Sequence, residues 1–311
     1  MRQVGKARYL AAVVAVLVLA TAFGVDKCPP GWEKRGVCTT TTTTAPTTTT
    51  TTVAPTTTTV VTTTTTLPPT TTTTLPTDSD LRVGMTWQWQ LAGTIDTTVD
   101  AELFDVDLWE TPQAVIDTLH AQDRVVVCYM EAGSWADFRP DADLFPESVK
   151  GRTVGWPGEK WLDIRQLDVL GPIMEARLDL CAAKGFDGVE FDLIDGWTNN
   201  TGFPLTAADQ TTYNLFLAAA AQERGLKAGF KNNVEQARAQ EPYFDFAVNE
   251  ECFQYDECGL LTPFVDAGKP VFHVEYAVAV AKFCPVTEAL GFSSMKKRLN
   301  LNAWFNACWM I

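Results

Sequence analysis

The sequence has only two histidines, no C-x-x-C pair and no G-x-S-x-G pentapeptide. The first two absences remove the usual ligands of a tetrahedral zinc site, and the third removes the elbow on which many hydrolases mount a nucleophilic serine. His120 falls in a helical pattern and His273 inside a strand, far apart, and Ser134 in EAGSW has no base beside it, so a Ser-His-Asp triad lacks members. The acidic run DADLF at 141–145 lacks the ligand spacing of a calcium loop and reads as a solvated loop. No Gly-rich phosphate loop follows the first strand pattern. Neither a metal nor a cofactor is therefore expected. Residues 39–77 contain no charge and no aromatic side chain. The apolar run at 9–20 has twelve residues, short of the roughly 20 that a spanning helix needs.

What is present divides the chain into four parts. Arg2, Lys6 and Arg8, the apolar run and Ala20-Thr21-Ala22 follow the order of a secretory signal peptide, expected over residues 1–22. Lys27 before Cys28 argues against a lipid-modified cysteine. A short segment bounded by cysteines follows at 23–38. Residues 39–77, almost wholly Thr with scattered Pro, cannot bury a core and read as a linker or glycosylated stalk. Residues 78–311 remain, enough for one large core. Residues 1–38 hold six Lys+Arg and two Asp+Glu, and the linker holds none, which leaves 18 basic and 36 acidic residues, a formal net charge of −18 for the domain. Such a surface repels nucleic acid and suits a cationic ligand. Eight cysteines behind a signal peptide favour disulfides. Proximity suggests Cys28–Cys38 and Cys252–Cys258, leaving Cys284–Cys308 and Cys128–Cys181.

Within the domain, β-rich runs alternate with helical ones. The strand candidates are 85–91, 103–109, 124–131, 160–165, 188–195, 226–232, 243–250 and 270–276. Helices are expected over 112–122, with Pro112 near its start, over 170–185, ending in Gly, and over 206–225, opened by Thr206 and Asp209 as a capping box. Eight strands separated by helices predict a single (β/α)8 TIM-type barrel, whose active site lies at the C-terminal ends of its strands. Those ends carry Gln90, Asp107, Glu131, Asp163 with Arg165, Asp192 with Asp195, Lys231 with Asn232, Glu250 with Glu251, and Glu275. In GFDGVEFDLID, the strand period of two places Glu190 and Asp192 on one face, and buried carboxylates there are costly unless paired or used. With FAVNEEC at 246–252 this gives two acidic strand ends, the minimum for acid-catalysed glycoside cleavage.

The pieces WQWQL, DVDLW, VVCYMEAGSW, WLDIR, GFDGVEFDLIDGW, KNN, FAVNEECFQYDEC, VFHVEY and LNAWFNAC resemble, in order and spacing, glycoside hydrolase family 114, the endo-α-1,4-polygalactosaminidases. The resemblance spans about residues 81–308. It implies a barrel cleaving α-1,4-linked galactosamine polymers internally with a carboxylate pair from the fifth and seventh strands, at positions Asp192 and Glu250. The family commonly has Pro-Asp-Asn where this chain has Phe191-Asp192-Leu193. Asp192 is expected as the nucleophile and Glu250 as the acid/base, with Glu251 its rival because register decides which of the two faces inward. Gln88, Trp89, Glu131, Asp163, Glu190, Asp195, Lys231, Asn232, Glu275 and Tyr276 are expected to bind substrate, the carboxylates by pairing with ammonium groups. The expected protein is a secreted monomer whose partner is a cationic polysaccharide, with surface or wall tethering through the stalk. The alternatives are the same barrel acting on another α-linked glycan, or a carbohydrate-binding barrel without catalysis.

Overall fold

A computed structural model describes residues 81–310; the signal peptide, the Cys28–Cys38 pairing and the Thr-rich linker lie outside the described residues. Eight parallel strands form the curled sheet of a (β/α)8 barrel: β1 (Trp87–Gln90), β2 (Leu103–Asp107), β3 (Val125–Glu131), β7 (Gly188–Asp192), β8 (Lys227–Lys231), β9 (Phe246–Glu250), β10 (Val271–Glu275) and β11 (Ser293–Lys296). A short strand β12 (Asn306–Ala307) pairs antiparallel with β11. The strand period of two sorts side chains into two cores. Trp87, Trp89, Val127, Phe246, Val248, Phe272, Val274 and Met295 fill the barrel, while Phe104, Val126, Val189, Phe191 and Phe230 pack outward against helix residues such as Ile116, Leu178 and Leu217. Gly229 is required where it stands, because a Cβ there would lie 2.5 Å from the Phe246 ring.

The helices match the expected pattern. α1 (Gln113–His120) follows Pro112; α2 (Leu167–Ala183) and α3 (Ala207–Gln222) are each followed by a glycine at positive φ, Gly185 and Gly225. Thr206 and Asp209 form a reciprocal capping box at the start of α3, a device that contributes about 1 kcal/mol. After β8 comes the short α4 (Ala237–Gln240), after β9 comes α5 (Thr262–Asp266), and after β10 comes α6 (Val280–Ala289). Disulfides join Cys128 to Cys181, Cys252 to Cys258 and Cys284 to Cys308.

One strand assignment needs correction. The run at 160–165 is not a barrel strand: β6 (Glu159–Leu162) lies between β4 (Ser134–Ala136) and β5 (Lys150–Thr153) in a separate three-stranded antiparallel sheet. The eighth barrel strand is instead β11, SSMK, whose polar residues hide it from an apolar-run reading. The carboxylate strands are therefore the fourth and sixth of the barrel. Between the eighth and first strands the join is made by side chains and by the segment after β11. Trp87 donates to the Ser293 carbonyl, the Leu91 and Ala92 N–H groups donate to the Leu301 carbonyl, and Gln88 donates to that of Ala303.

Candidate active site

Three neighbouring strands, β7, β8 and β9, each end on a charged residue followed at once by a residue in the left-handed region. Leu193 (φ 62°) follows Asp192, Asn232 (φ 49°) follows Lys231, and Glu251 (φ 63°) follows Glu250. The turn breaks each strand and leaves the preceding side chain at the barrel mouth. At the first of these, the Asp192 carbonyl accepts from the N–H groups of Ala132 and Gly133, and a Cβ on Gly133 would lie 1.7 Å from the Leu193 carbonyl oxygen. The glycine of EAGSW is thus needed for close approach beneath the site.

Lys231 is the hub. Its side chain is 1 % exposed, and its Nζ lies 2.6 Å from Glu190 Oε1, 3.0 Å from Asp192 Oδ1 and 3.4 Å from Glu250 Oε2, over the Trp89 ring at 4.7 Å. The Asp192, Glu190 and Glu250 charges hold its ammonium well above the usual lysine range despite burial, so it stays charged. The second oxygens of Asp192 and Glu250 have their own donors: Tyr129 gives its hydroxyl to Asp192 Oδ2 at 2.7 Å, and Tyr276 to Glu250 Oε1 at 2.5 Å. Burial first, then the neighbouring carboxylates, raise both phenols, so both remain donors. Asn232 donates to Glu250 Oε2 and accepts from the Glu250 N–H, which fixes the strand end that carries the acid.

Two cavities open on this cluster. One, of about 270 Å³, is lined by Trp89, Tyr129, Trp156, Glu159, Asp192 and Leu193 among others. The other, of about 370 Å³, is lined by Asp195, Glu235, Glu251, Tyr255 and Glu257 among others. Glu250, Asn232, Tyr276 and Leu299 line both and so mark the boundary. The cleft is acidic, and several of its carboxyls lack a close cation. Burial, with the Asp192 charge second, raises Asp195 to about 6. Burial, with the Glu131 and Asp192 charges, raises Glu159 to about 7. Burial raises Glu251 and Glu257 as well.

Of the residues expected to contact substrate, Trp89, Asp195, Lys231, Asn232 and Tyr276 line the cavities with Asp192 and Glu250, and Glu190 lies beneath, on Lys231. Glu251, the rival acid, faces the larger cavity, while Glu250 takes the position on Lys231. Four expected contacts are corrected, because each has partners elsewhere. Gln88 is buried on the other side of β1 from Trp87 and Trp89, between Lys297 and the Ala303 carbonyl. Glu131 forms a buried cluster with Arg139, which also grips Asp107. Asp163 is paired two-pronged with Arg165 after β6. Glu275 is buried, accepting from the N–H groups of Phe253 and Gln254 and lying 3.1 Å from His273. Tyr129, Trp156 and Glu159 were missed. Tyr129 shares its strand face with Val125 and Val127 and is legible from that alternation; Trp156, in the turn between β5 and β6, and Glu159, at the start of β6, come from the small antiparallel sheet, whose position at the cavity no local pattern announces.

What the cluster offers is two carboxyls fixed on one ammonium at the base of an acidic cleft. Comparison with known proteins adds to this. A family model, Glycoside-hydrolase family GH114, matches residues 64–310. The structure resembles that of Aspergillus fumigatus Ega3, solved in complex with galactosamine, at 39% sequence identity and a TM-score of 0.70, covering 73% of this chain and 96% of that one. The glycoside hydrolase domain of PelA from Pseudomonas aeruginosa shares the fold at 14% identity and a TM-score of 0.56, covering 71% of this chain and 97% of that one. An uncharacterized protein of Deinococcus radiodurans is 26% identical over 225 residues, 61% of this chain and 72% of its own length.

Proposed function

Because the chain belongs to glycoside-hydrolase family GH114, we propose that it cleaves α-1,4-linked galactosamine polymers internally, with Asp192 as nucleophile and Glu250 as acid/base. The position of Glu250 carries the reading. It lines both cavities whereas Asp192 lines only the one that holds Trp89. A glycosidic oxygen joining sugars in the two cavities therefore passes Glu250, while the anomeric carbon of the sugar beside Trp89 faces Asp192.

In the first step an Asp192 oxygen attacks the anomeric carbon, the bond to the bridging oxygen breaks, and Glu250 gives that oxygen its proton. In the second, water attacks the same carbon, Glu250 takes the water proton, and Asp192 leaves as a carboxylate. Contacts of 3.0 and 3.4 Å to one ammonium bring an oxygen of Asp192 and one of Glu250 to the same point, and with Asp192 as nucleophile the reaction runs through a glycosyl-enzyme intermediate with retention of anomeric configuration. Lys231 and the two tyrosines hold the carboxyls in place so that little reorganisation accompanies charge movement.

The substrate class rests on charge. The relative from Aspergillus fumigatus was solved with galactosamine, whose ammonium group would supply Glu159, Asp195, Glu251 and Glu257 with the cations they lack. The polymer would extend in both directions, which the paired cavities accommodate. Export to the cell exterior, with the Thr-rich segment as tether, belongs to the same proposal, and the three disulfides support an oxidising compartment.

The test is incubation of partially deacetylated polygalactosamine with the protein, with Asp192→Asn and Glu250→Gln in parallel. Short oligomers with α configuration at the new reducing end, seen by proton NMR before mutarotation, are expected, and each variant should lose roughly 10²–10⁴-fold in kcat. Binding without cleavage, unaffected by Asp192→Asn, would favour a carbohydrate-binding barrel instead. Cleavage that survives both substitutions would reject the carboxylate pair.

A further inference from the structure

Beneath the site, inside the barrel, three carboxylate oxygens have no donor among the described residues: both of Asp105 and Oε2 of Glu190. Asp105 is 1 % exposed and Glu190 is fully buried. The register sets Asp105 level with Val127 and Val127 level with Gly188, so Asp105 and Glu190, two residues on along the inward face of β7, project into adjoining layers of the barrel interior where their carboxyls interact. Two apposed carboxylates in a buried interior repel each other, whereas one proton between them turns the repulsion into a hydrogen bond. The surroundings decide which carboxyl carries it. Glu190 has the Lys231 ammonium at 2.6 Å, which favours its anion. Among the described residues Asp105 has no cation in contact: β1 and β3 place Trp89 and Val127 level with it, β7 contributes Glu190 and Asp192, and β8 contributes Lys231, which reaches Glu190 instead.

We infer that Asp105 is held as a neutral carboxylic acid that donates its proton to Glu190, and that it is a positioning residue for the two carboxyls above it. The chain of contacts runs from Asp105 through Glu190 to the Lys231 ammonium, and from there to Asp192 and Glu250. The shared proton leaves Glu190 with one charge and one orientation, and so fixes the height of the ammonium that spaces the two upper carboxyls. Burial and the Glu190 charge both push the Asp105 carboxyl well above the usual range, in agreement with the geometry. The inference rests on the proposed role of Asp192 and Glu250 only for its kinetic consequence; the proton itself does not depend on that role.

The measurement is infrared spectroscopy of the full chain with and without carbon-13 in its aspartate carboxyls, across the pH range in which the fold is stable. A carbonyl stretch of a protonated carboxylic acid that shifts with the label and persists at neutral pH is expected, and it should vanish in Asp105→Asn. No such band, or one that disappears in the ordinary carboxylate range, would overturn the inference, and the unsubstituted protein alone decides this. Kinetics provide the second arm. Asp105→Ala should lower kcat by roughly 10–100-fold with little change in KM and displace the acid limb of the pH profile. Asp105→Asn, a neutral donor of the same shape, should restore most of that kcat and leave the acid limb in place. An acid limb moved downward by Asp105→Asn would mean that an anion had been removed, and would overturn the inference. A persistent band beside full activity of Asp192→Asn would instead reject the catalytic assignment while leaving the shared proton standing.

Discussion

Leu193 adopts φ 62°, where asparagine is comfortable and a bulky aliphatic side chain is not. The family commonly has asparagine at this position, so this chain retains the conformation without the residue that relaxes it. Two N–H groups on the Asp192 carbonyl and the close approach of Gly133 hold the backbone there. Leu193→Asn should therefore raise stability by about 1 kcal/mol, read as a shift in the urea midpoint at unchanged slope. Glu159 gives a prediction of pH dependence. Its carboxyl is raised from 4.5 to about 7 by burial and by the Glu131 and Asp192 charges. A carboxyl raised in the fold contributes stability below its unfolded value and loses it as pH rises through the folded one. Relative to the native protein, Glu159→Gln should accordingly gain on the order of 1 kcal/mol, after discounting for solvent screening, between pH 4.5 and pH 8. Thermal unfolding of both proteins across that interval checks the sign, and a constant gap would reject it.

Elements were legible where pattern and burial agree. β3, with its run of valines, and α3, with its capping box, could be placed from residues alone. The expectation failed at 160–165, because β6 in the small antiparallel sheet and a barrel strand present the same few apolar residues; the partner strand distinguishes them, and it is not local. It failed again at β11, where polar side chains bond to neighbouring elements instead of filling an apolar layer: Ser294 meets His273, and Lys297, just after the strand, meets Gln88. The acids of the site were legible, since paired carboxylates on one strand face require a reason. Which strand-end charges were free was not, because Arg139 and Arg165 reach Glu131 and Asp163 from loops whose course the sequence does not fix. At this scale Cys284–Cys308 ties α6 to the segment after β11 over 24 residues. Cys308→Ser should cost about 3 kcal/mol by chain entropy, visible in urea unfolding as a lower midpoint that reduction of the native protein approaches.

Taken whole, the molecule sets several carboxyls around its two cavities and matches others, away from them, with guanidinium groups. The domain's formal charge of −18 includes the ring of carboxyls around the two cavities, while Glu131, Asp107 and Asp163 are matched by guanidinium groups. On the proposed function that division separates stability from recognition: the matched acids hold loops, and the others would meet the ammonium groups of the substrate. The join between the last and first barrel strands, made by residues 301–303 and the Trp87–Ser293 contact, also sets an order of events. A chain still emerging from the ribosome has β1 waiting with an open edge until some two hundred further residues have been made. Closure cannot precede synthesis of the stretch that supplies it. With export as proposed, this delay would keep the polypeptide threadable until it has crossed the membrane, and the barrel and its final disulfide would be completed together on the far side.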